Sequence, residues 1–77
     1  MSENTSPAAD PAVDVAQELV RLVGDTGSVQ NVMSGFRIHV AHTRAFPWDE
    51  VFKLLLYRGF TVDVTNQKAD LFIEARL

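Results

Sequence analysis

The sequence predicts an α+β fold, a two-layer sandwich in which two helices cover one face of a largely antiparallel sheet of three to four strands. Two segments repeat apolar residues every three or four positions, which is the period of an amphipathic helix. A pair of short segments with alternating or extended character follows each of them, as expected for half-buried strands. The resulting order, α-β-β-α-β-β, favours hairpins that pack under the helices.

The first helix is predicted from Asp10-Pro11 to Gly24. An aspartate oxygen can cap the free N–H groups of a helix start, and proline at the first helical position loses no hydrogen bond. The apolar positions between these signals have helical spacing: Ala12, Val15, Ala16, Leu19, Val20, Leu22 and Val23. The preceding residues are small and polar, so we expect a disordered tail at residues 1–9 and a single domain at residues 10–77.

The next two segments are predicted to pair as strands. Residues 28–34 (SVQNVMS) are ambiguous, because their apolar positions fit a helical face, but the following Ser34-Gly35 pair can turn a hairpin. We favour an extended segment there. Residues 36–43 (FRIHVAHT) alternate apolar and polar side chains, which predicts a half-buried strand.

The second half repeats the helix and strand signals. Pro47 opens a helix that ends at Arg58-Gly59, and its apolar arc is wider than contact with one sheet requires. Residues 60–65 and 71–77 then read as two strands around a four-residue hairpin loop at residues 66–69.

Composition and spacing argue against several kinds of site. The chain has no cysteine, so it offers neither a disulfide nor a thiolate. Its two histidines, His39 and His42, would point to opposite faces of a strand, and we expect no metal site. No strand leads into a glycine-rich phosphate loop, and we predict no cofactor and no enzymatic activity.

One short motif invites comparison with a known enzyme class. Asp25-Thr26-Gly27-Ser28 resembles the D-T-G-S active-site signature of aspartic proteases, in which two such aspartates share a proton. In that family the aspartate follows an apolar strand, whereas here Gly24 and the end of an amphipathic helix precede it. We therefore interpret the motif as a helix exit.

Charge and hydropathy bear on partners and location. The net charge is −3, with a balance of −4 over residues 1–27 and +1 over residues 28–77. A nucleic-acid surface usually shows a clustered basic excess, which is not seen here. No apolar run approaches the roughly 18 residues of a membrane span, and we expect a cytoplasmic protein with no membrane contact. A small core without covalent staples also favours a homodimer.

The remaining signal is an apolar surface. If the apolar sides of the strands face the helices, Phe72 lies among charges on the open sheet face, and the second helix is left with surplus apolar residues. We predict a small non-enzymatic interaction module that binds a protein partner as an inhibitor or regulator and self-associates. Its predicted anchors are Trp48, Leu54, Leu56 and Phe72, with Arg37 and Arg76 as charges at the rim.

Nucleic-acid binding is the alternative. An exposed ring beside arginines can serve as a single-strand platform, and residues 48–76 resemble the helix and two-stranded wing of winged-helix domains.

In size, acidity and lack of a catalytic set, the chain also resembles small phage-encoded inhibitors, a class that includes the anti-CRISPR proteins.

Overall fold

A computed structural model describes the backbone of residues 11–77 and the side chains of residues 15–77. The predicted tail at residues 1–9 and the predicted cap at Asp10 lie outside the described residues. The elements are α1 (Pro11–Val23), β1 (Gly27–Val32), β2 (Gly35–Val40), α2 (Trp48–Tyr57), β3 (Thr61–Gln67) and β4 (Asp70–Arg76). The predicted α+β class and the order α-β-β-α-β-β are confirmed.

The four strands form one antiparallel sheet in the order β1-β2-β4-β3. The two hairpins, β1-β2 and β3-β4, meet at the centre, where β2 pairs with β4 and Ile38 lies opposite Ile73. Alternate residues of these two central strands are buried, as the predicted period of two requires. The strand preferred for residues 28–34 is present as β1, and the chain turns at Met33 and Ser34.

The core lies between the sheet and the two helices. α1 lies over β1, α2 lies over β3, and the helices contact each other. The core residues are each less than a tenth exposed: Val15, Leu19, Val23, Phe36, Ile38, Val40, Phe46, Val51, Leu55, Phe60, Ile73 and Ala75. Apolar side chains of both helices and of the two central strands, β2 and β4, therefore share one cluster, as in other two-layer domains.

Glycine ends both helices, as predicted. Gly24 has a φ of +51° and Gly59 a φ of +87°, and this left-handed backbone favours glycine at a helix exit. After Gly59, the Phe60 N–H donates to the Leu55 carbonyl oxygen at 3.0 Å, so the turn also satisfies a carbonyl of the last helical turn.

Two predicted boundaries were wrong. The strand predicted at residues 36–43 ends at Val40, because the N–H groups of Ala41 and His42 both donate to the Thr26 carbonyl oxygen at 2.9 Å and turn the chain. The loop predicted at residues 66–69 is a two-residue turn, since Gln67 already pairs with Asp70.

The two halves of the chain have the same αββ arrangement. A shift of 35 residues carries the turn at Met33 onto the turn at Lys68, and carries Ile38 onto Ile73. Ile38 and Ile73 are also paired with each other across the sheet, so an approximate two-fold axis passes between them. The two outer strands, β1 and β3, are therefore equivalent in position although their side chains differ.

The β3-β4 turn contains a backbone strain that can be tested. Lys68 and Ala69 have φ values of 51° and 73°, as both central residues of a type I′ turn do, but this turn favours Asn-Gly. The left-handed region costs most L-residues roughly 1–2 kcal/mol each. Replacing the pair by Lys68→Asn with Ala69→Gly should raise the free energy of unfolding by about 1 kcal/mol, measured by urea denaturation.

The control is Gln67→Gly, one residue earlier, where the backbone is an extended strand. There glycine should lower the free energy of unfolding by roughly 0.5–1 kcal/mol. An unchanged or lower denaturation midpoint in the turn variant would show that the turn is not strained.

Candidate interaction surfaces

The sheet face opposite the helices is polar with an aromatic residue near its centre. Because Ile38 and Ile73 point into the core, their sequence neighbours point away from it. The outward residues of β2, β3 and β4 are Arg37, His39, Thr61, Asp63, Thr65, Gln67, Asp70, Phe72, Glu74 and Arg76. We call this surface the open face.

Phe72 is half-buried on the open face and is already in contact with polar neighbours. The Arg37 guanidinium carbon lies 4.2 Å from the centre of the Phe72 ring, a cation–π distance. The His39 ring lies 5.2 Å from it at a tilt of 40°. Two side chains of β2 thus cover much of the ring that we predicted as an anchor.

The charges of the open face pair with one another. The Arg76 guanidinium donates to the Asp63 carboxylate at 2.7 Å and lies 3.6 Å from Glu74. Arg37 lies 3.7 Å from Glu74, and its guanidinium donates to the side-chain oxygen of Gln67 at 3.4 Å. Both predicted rim arginines are therefore engaged within the chain.

A histidine and one unpaired nitrogen complete the open face. The His39 Nε2 lies 3.3 Å from the Asp70 carboxylate. Within the described residues, the Arg37 Nε is buried with no hydrogen-bond partner, since its nearest acceptor on Glu74 is beyond hydrogen-bond distance.

Trp48, at the start of α2, packs within the domain. Its indole N–H donates to the Thr43 carbonyl oxygen at 2.8 Å. Its ring lies 4.9 Å from the ring of Phe46 and 6.3 Å from that of Phe52, both in edge-on orientation. Trp48 therefore fastens the connection at residues 41–47 to α2.

The other predicted helix anchors differ in exposure. Leu54 is half-buried and packs against the core. Leu56 is 59% exposed, and its neighbour Tyr57 is 89% exposed. Because α2 lies on one side of the sheet and Phe72 on the other, the six predicted site residues do not form a single surface.

Charges at the two helices influence each other. A hydrogen bond from Arg21 lowers the pKa of Glu18 against the opposing effect of desolvation, and the charge of Arg58, directly after α2, adds to the lowering. The same bond raises the pKa of Arg21, as does the charge of Glu50 on α2. These influences agree with helices that run antiparallel, as the approximate two-fold axis between Ile38 and Ile73 requires.

Sequence reasoning missed an apolar surface at one end of the domain. We call it the apolar end, and it consists of Val32, Met33 and Leu77, which are 40%, 93% and 77% exposed. A groove of about 480 Å³ opens beside it on the helix side, between Ala16 of α1 and Phe60 at the start of β3. A hollow of about 190 Å³ adjoins Met33 on the open face.

The sequence did contain a signal for this surface. Residues 26–36 (TGSVQNVMSGF) carry no charged side chain, the longest such run between the start of the first helix and the end of the chain. This run does not by itself predict a surface, because its solvent exposure depends on β1 lying at the edge of the sheet.

The polar residues singled out in the sequence have separate surroundings. His42 is exposed after β2, whereas His39 lies on the open face. Among the side chains of residues 15–77, no three of the metal-binding types cluster together. Asp25 is exposed in a single 3₁₀ turn, and the Thr26 hydroxyl donates to the Val23 carbonyl oxygen, so this stretch ends α1 as interpreted.

None of the described helices is long and apolar enough to cross a membrane.

The contact between Arg37 and Phe72 can be measured by a double-mutant cycle. Arg37→Ala and Phe72→Leu, separately and together, should give a coupling free energy of about 0.5–1 kcal/mol in urea denaturation. A matched cycle of Arg76→Ala with Phe72→Leu should be additive, because Arg76 contacts Asp63 and Glu74 instead. Additivity in the first cycle would mean that Arg37 does not stabilise the ring.

Comparisons with known proteins add no name to these surfaces. No family model, no curated protein and no solved structure matches the chain. The functional proposal below therefore depends on the contacts, exposure and charge of the residues described above.

Proposed function

We propose that the chain is a small non-enzymatic protein-binding module of the inhibitor or regulator type that acts in the cytoplasm and self-associates. Its partner contacts the apolar end. The observation that carries this proposal is Met33, 93% exposed at the tip of a hairpin between two hollows. This choice moves the predicted contact from α2 and Phe72 to the β1-β2 turn.

The chemistry of the apolar end favours an apolar side chain of a protein partner. Methionine is flexible and polarizable, and it adapts to irregular apolar partners. The groove volume lies within the range of pockets that accept a compact apolar group. Residues 26–36 carry no charge, and the groove on the helix side is lined by uncharged side chains, so a partner seated in that groove would not desolvate an ionic side chain.

A non-enzymatic role is supported by where the polar groups lie. The acids and bases of β2, β3 and β4 pair on the open face instead of converging in the groove. The groove itself is lined mainly by apolar and amide side chains, among them Ala16, Gln17 and Asn31. A nucleophile, a base and a positioned oxyanion donor are the minimum for most hydrolytic sites, and the groove lining does not combine them.

Nucleic-acid binding has less support. The open face carries Arg37 and Arg76 against three acidic residues, Asp63, Asp70 and Glu74, so its balance is −1 with histidine neutral. Both arginines already contact acids of the same face. A phosphate would have to displace those contacts, and the neighbouring acids would repel it.

The proposal is tested by charging the apolar end. The wild-type chain and Met33→Asp, each immobilised, are used to capture proteins from the source organism, and candidates are identified by mass spectrometry. One candidate is then purified and titrated against both chains by calorimetry. We expect Met33→Asp to bind at least about tenfold more weakly, as loss of an interface anchor does.

The control is Tyr57→Asp, which places the same charge at a side chain of similar exposure on α2. It should retain the wild-type affinity. If Met33→Asp binds as tightly as the wild type, the apolar end is not the site. If, in addition, Tyr57→Asp abolishes binding, the partner contacts α2.

A further inference from the structure

We infer that two copies of the chain form a closed two-fold dimer in which the β1 strands pair antiparallel and extend the sheet. This deepens the self-associating part of the proposed function, because it names the partner as a second copy and the contact as the β1 edge. Three observations carry it: the open hydrogen-bonding edge of β1, its lack of charge, and an exposed valine on the adjacent flank of α1.

The first observation is the backbone of β1. Within the described residues β1 has β2 as its single strand neighbour. The two-residue turn makes Val32 and Gly35 a hydrogen-bonded pair, so alternation along β1 directs the N–H and C=O groups of Gly27, Val29 and Asn31 away from β2. These six groups form an edge that another strand can join.

The second observation is the contrast with the equivalent edge strand, β3. The shift of 35 residues relates Ser28 to Asp63 and Met33 to Lys68. Natural edge strands are commonly protected from pairing by charged side chains. β3 carries one such charge, Asp63, and Lys68 follows in the turn, whereas β1 carries none, so antiparallel pairing of β1 with itself brings no like charges together.

The third observation is Val20 on α1. Val20 lies one helical turn after Ala16, on the same flank of α1, and Ala16 lines the groove together with Asn31 of β1. That flank faces the β1 edge, because α1 lies over β1. Val20 is 58% exposed there.

The position of Val20 along α1 fixes the register of the dimer. Ala16 lines the groove together with Asn31, and α1 runs antiparallel to β1. Four helical residues rise about 6 Å and two strand residues about 7 Å, so Val20 lies near the level of Val29. A two-fold axis at Val29 pairs the whole strand and brings the two Val20 side chains together.

The size of the contact predicts a weak dimer. Six strand residues extend about 20 Å, and one strand with a helix above it is about 15 Å high. This area is at the low end of specific interfaces, so association should require concentrations on the order of 10–100 μM. The charged β3 edge opposes further addition, so the assembly should stop at two copies.

The test is the mass of the full chain by light scattering across that concentration range. The measured mass of the wild type should approach twice the 8.6 kDa of one chain. Asn31→Pro removes an N–H that points away from β2, and Val20→Arg charges the flank, so each should weaken association at least tenfold. The matched controls are the equivalent changes on the other edge, Asn66→Pro and Leu56→Arg, which should dimerise as the wild type does.

A cross-link tests the same pairing in variants that keep every backbone N–H of β1. The chain has no cysteine, so single cysteines report cleanly. In the register centred on Val29, Ser28 of one copy lies opposite Gln30 of the other. A mixture of Ser28→Cys and Gln30→Cys should oxidise to a linked dimer faster than either variant alone, while Asp63→Cys with Thr65→Cys should not.

Three results would overturn the inference: a monomer at all concentrations, a dimer lost in Asn66→Pro or Leu56→Arg but kept in Val20→Arg, or a mass that grows without limit. Binding of an external partner is measured separately with Met33→Asp. A monomer that still binds a partner through Met33 would refute the dimer and leave the apolar end supported.

Discussion

The pairing of β2 with β4 is the constraint on which the rest of the molecule depends. It joins the two hairpins into one sheet, places Ile38 against Ile73 in the core, and thereby decides which side chains reach the open face. A slip of one residue in this pairing would turn β4 over relative to β2, expose Ile73, and bury the charges of Glu74 and Arg76. The cost of burying those charges makes the observed register strongly preferred.

That register gives the open face its character. Arg37 lies over Phe72 and near Glu74 because these residues, far apart in sequence, are neighbours across two central strands. The ring of Phe72, which stands out in the sequence, is therefore covered by side chains of its own chain. The helices differ, since their exposed apolar side chains at Val20 and Leu56 have no such cover among the described residues.

Much of the fold could be predicted from local patterns. The helical period, the glycine at each helix exit and the alternation in β2 and β4 are properties of short segments, and they led to the right class and order. Cross-strand neighbours are not local, so neither the cover over Phe72 nor the packing of Trp48 against Phe46 could be foreseen. The exposure of Met33 follows from its place in the turn between β1 and β2, which the register of that hairpin decides.

The connection between the two halves has a consequence for folding. Each half is an αββ unit that buries its central strand against the other, so a half from one chain could pair with the complementary half of another. The connection at residues 41–47 is short. The buried Phe46 and the hydrogen bond from the Trp48 indole N–H to the Thr43 carbonyl oxygen hold it against α2. This tether keeps the partner half of the same chain at high effective concentration, so the native pairing forms within one chain in preference to an exchange of halves between chains.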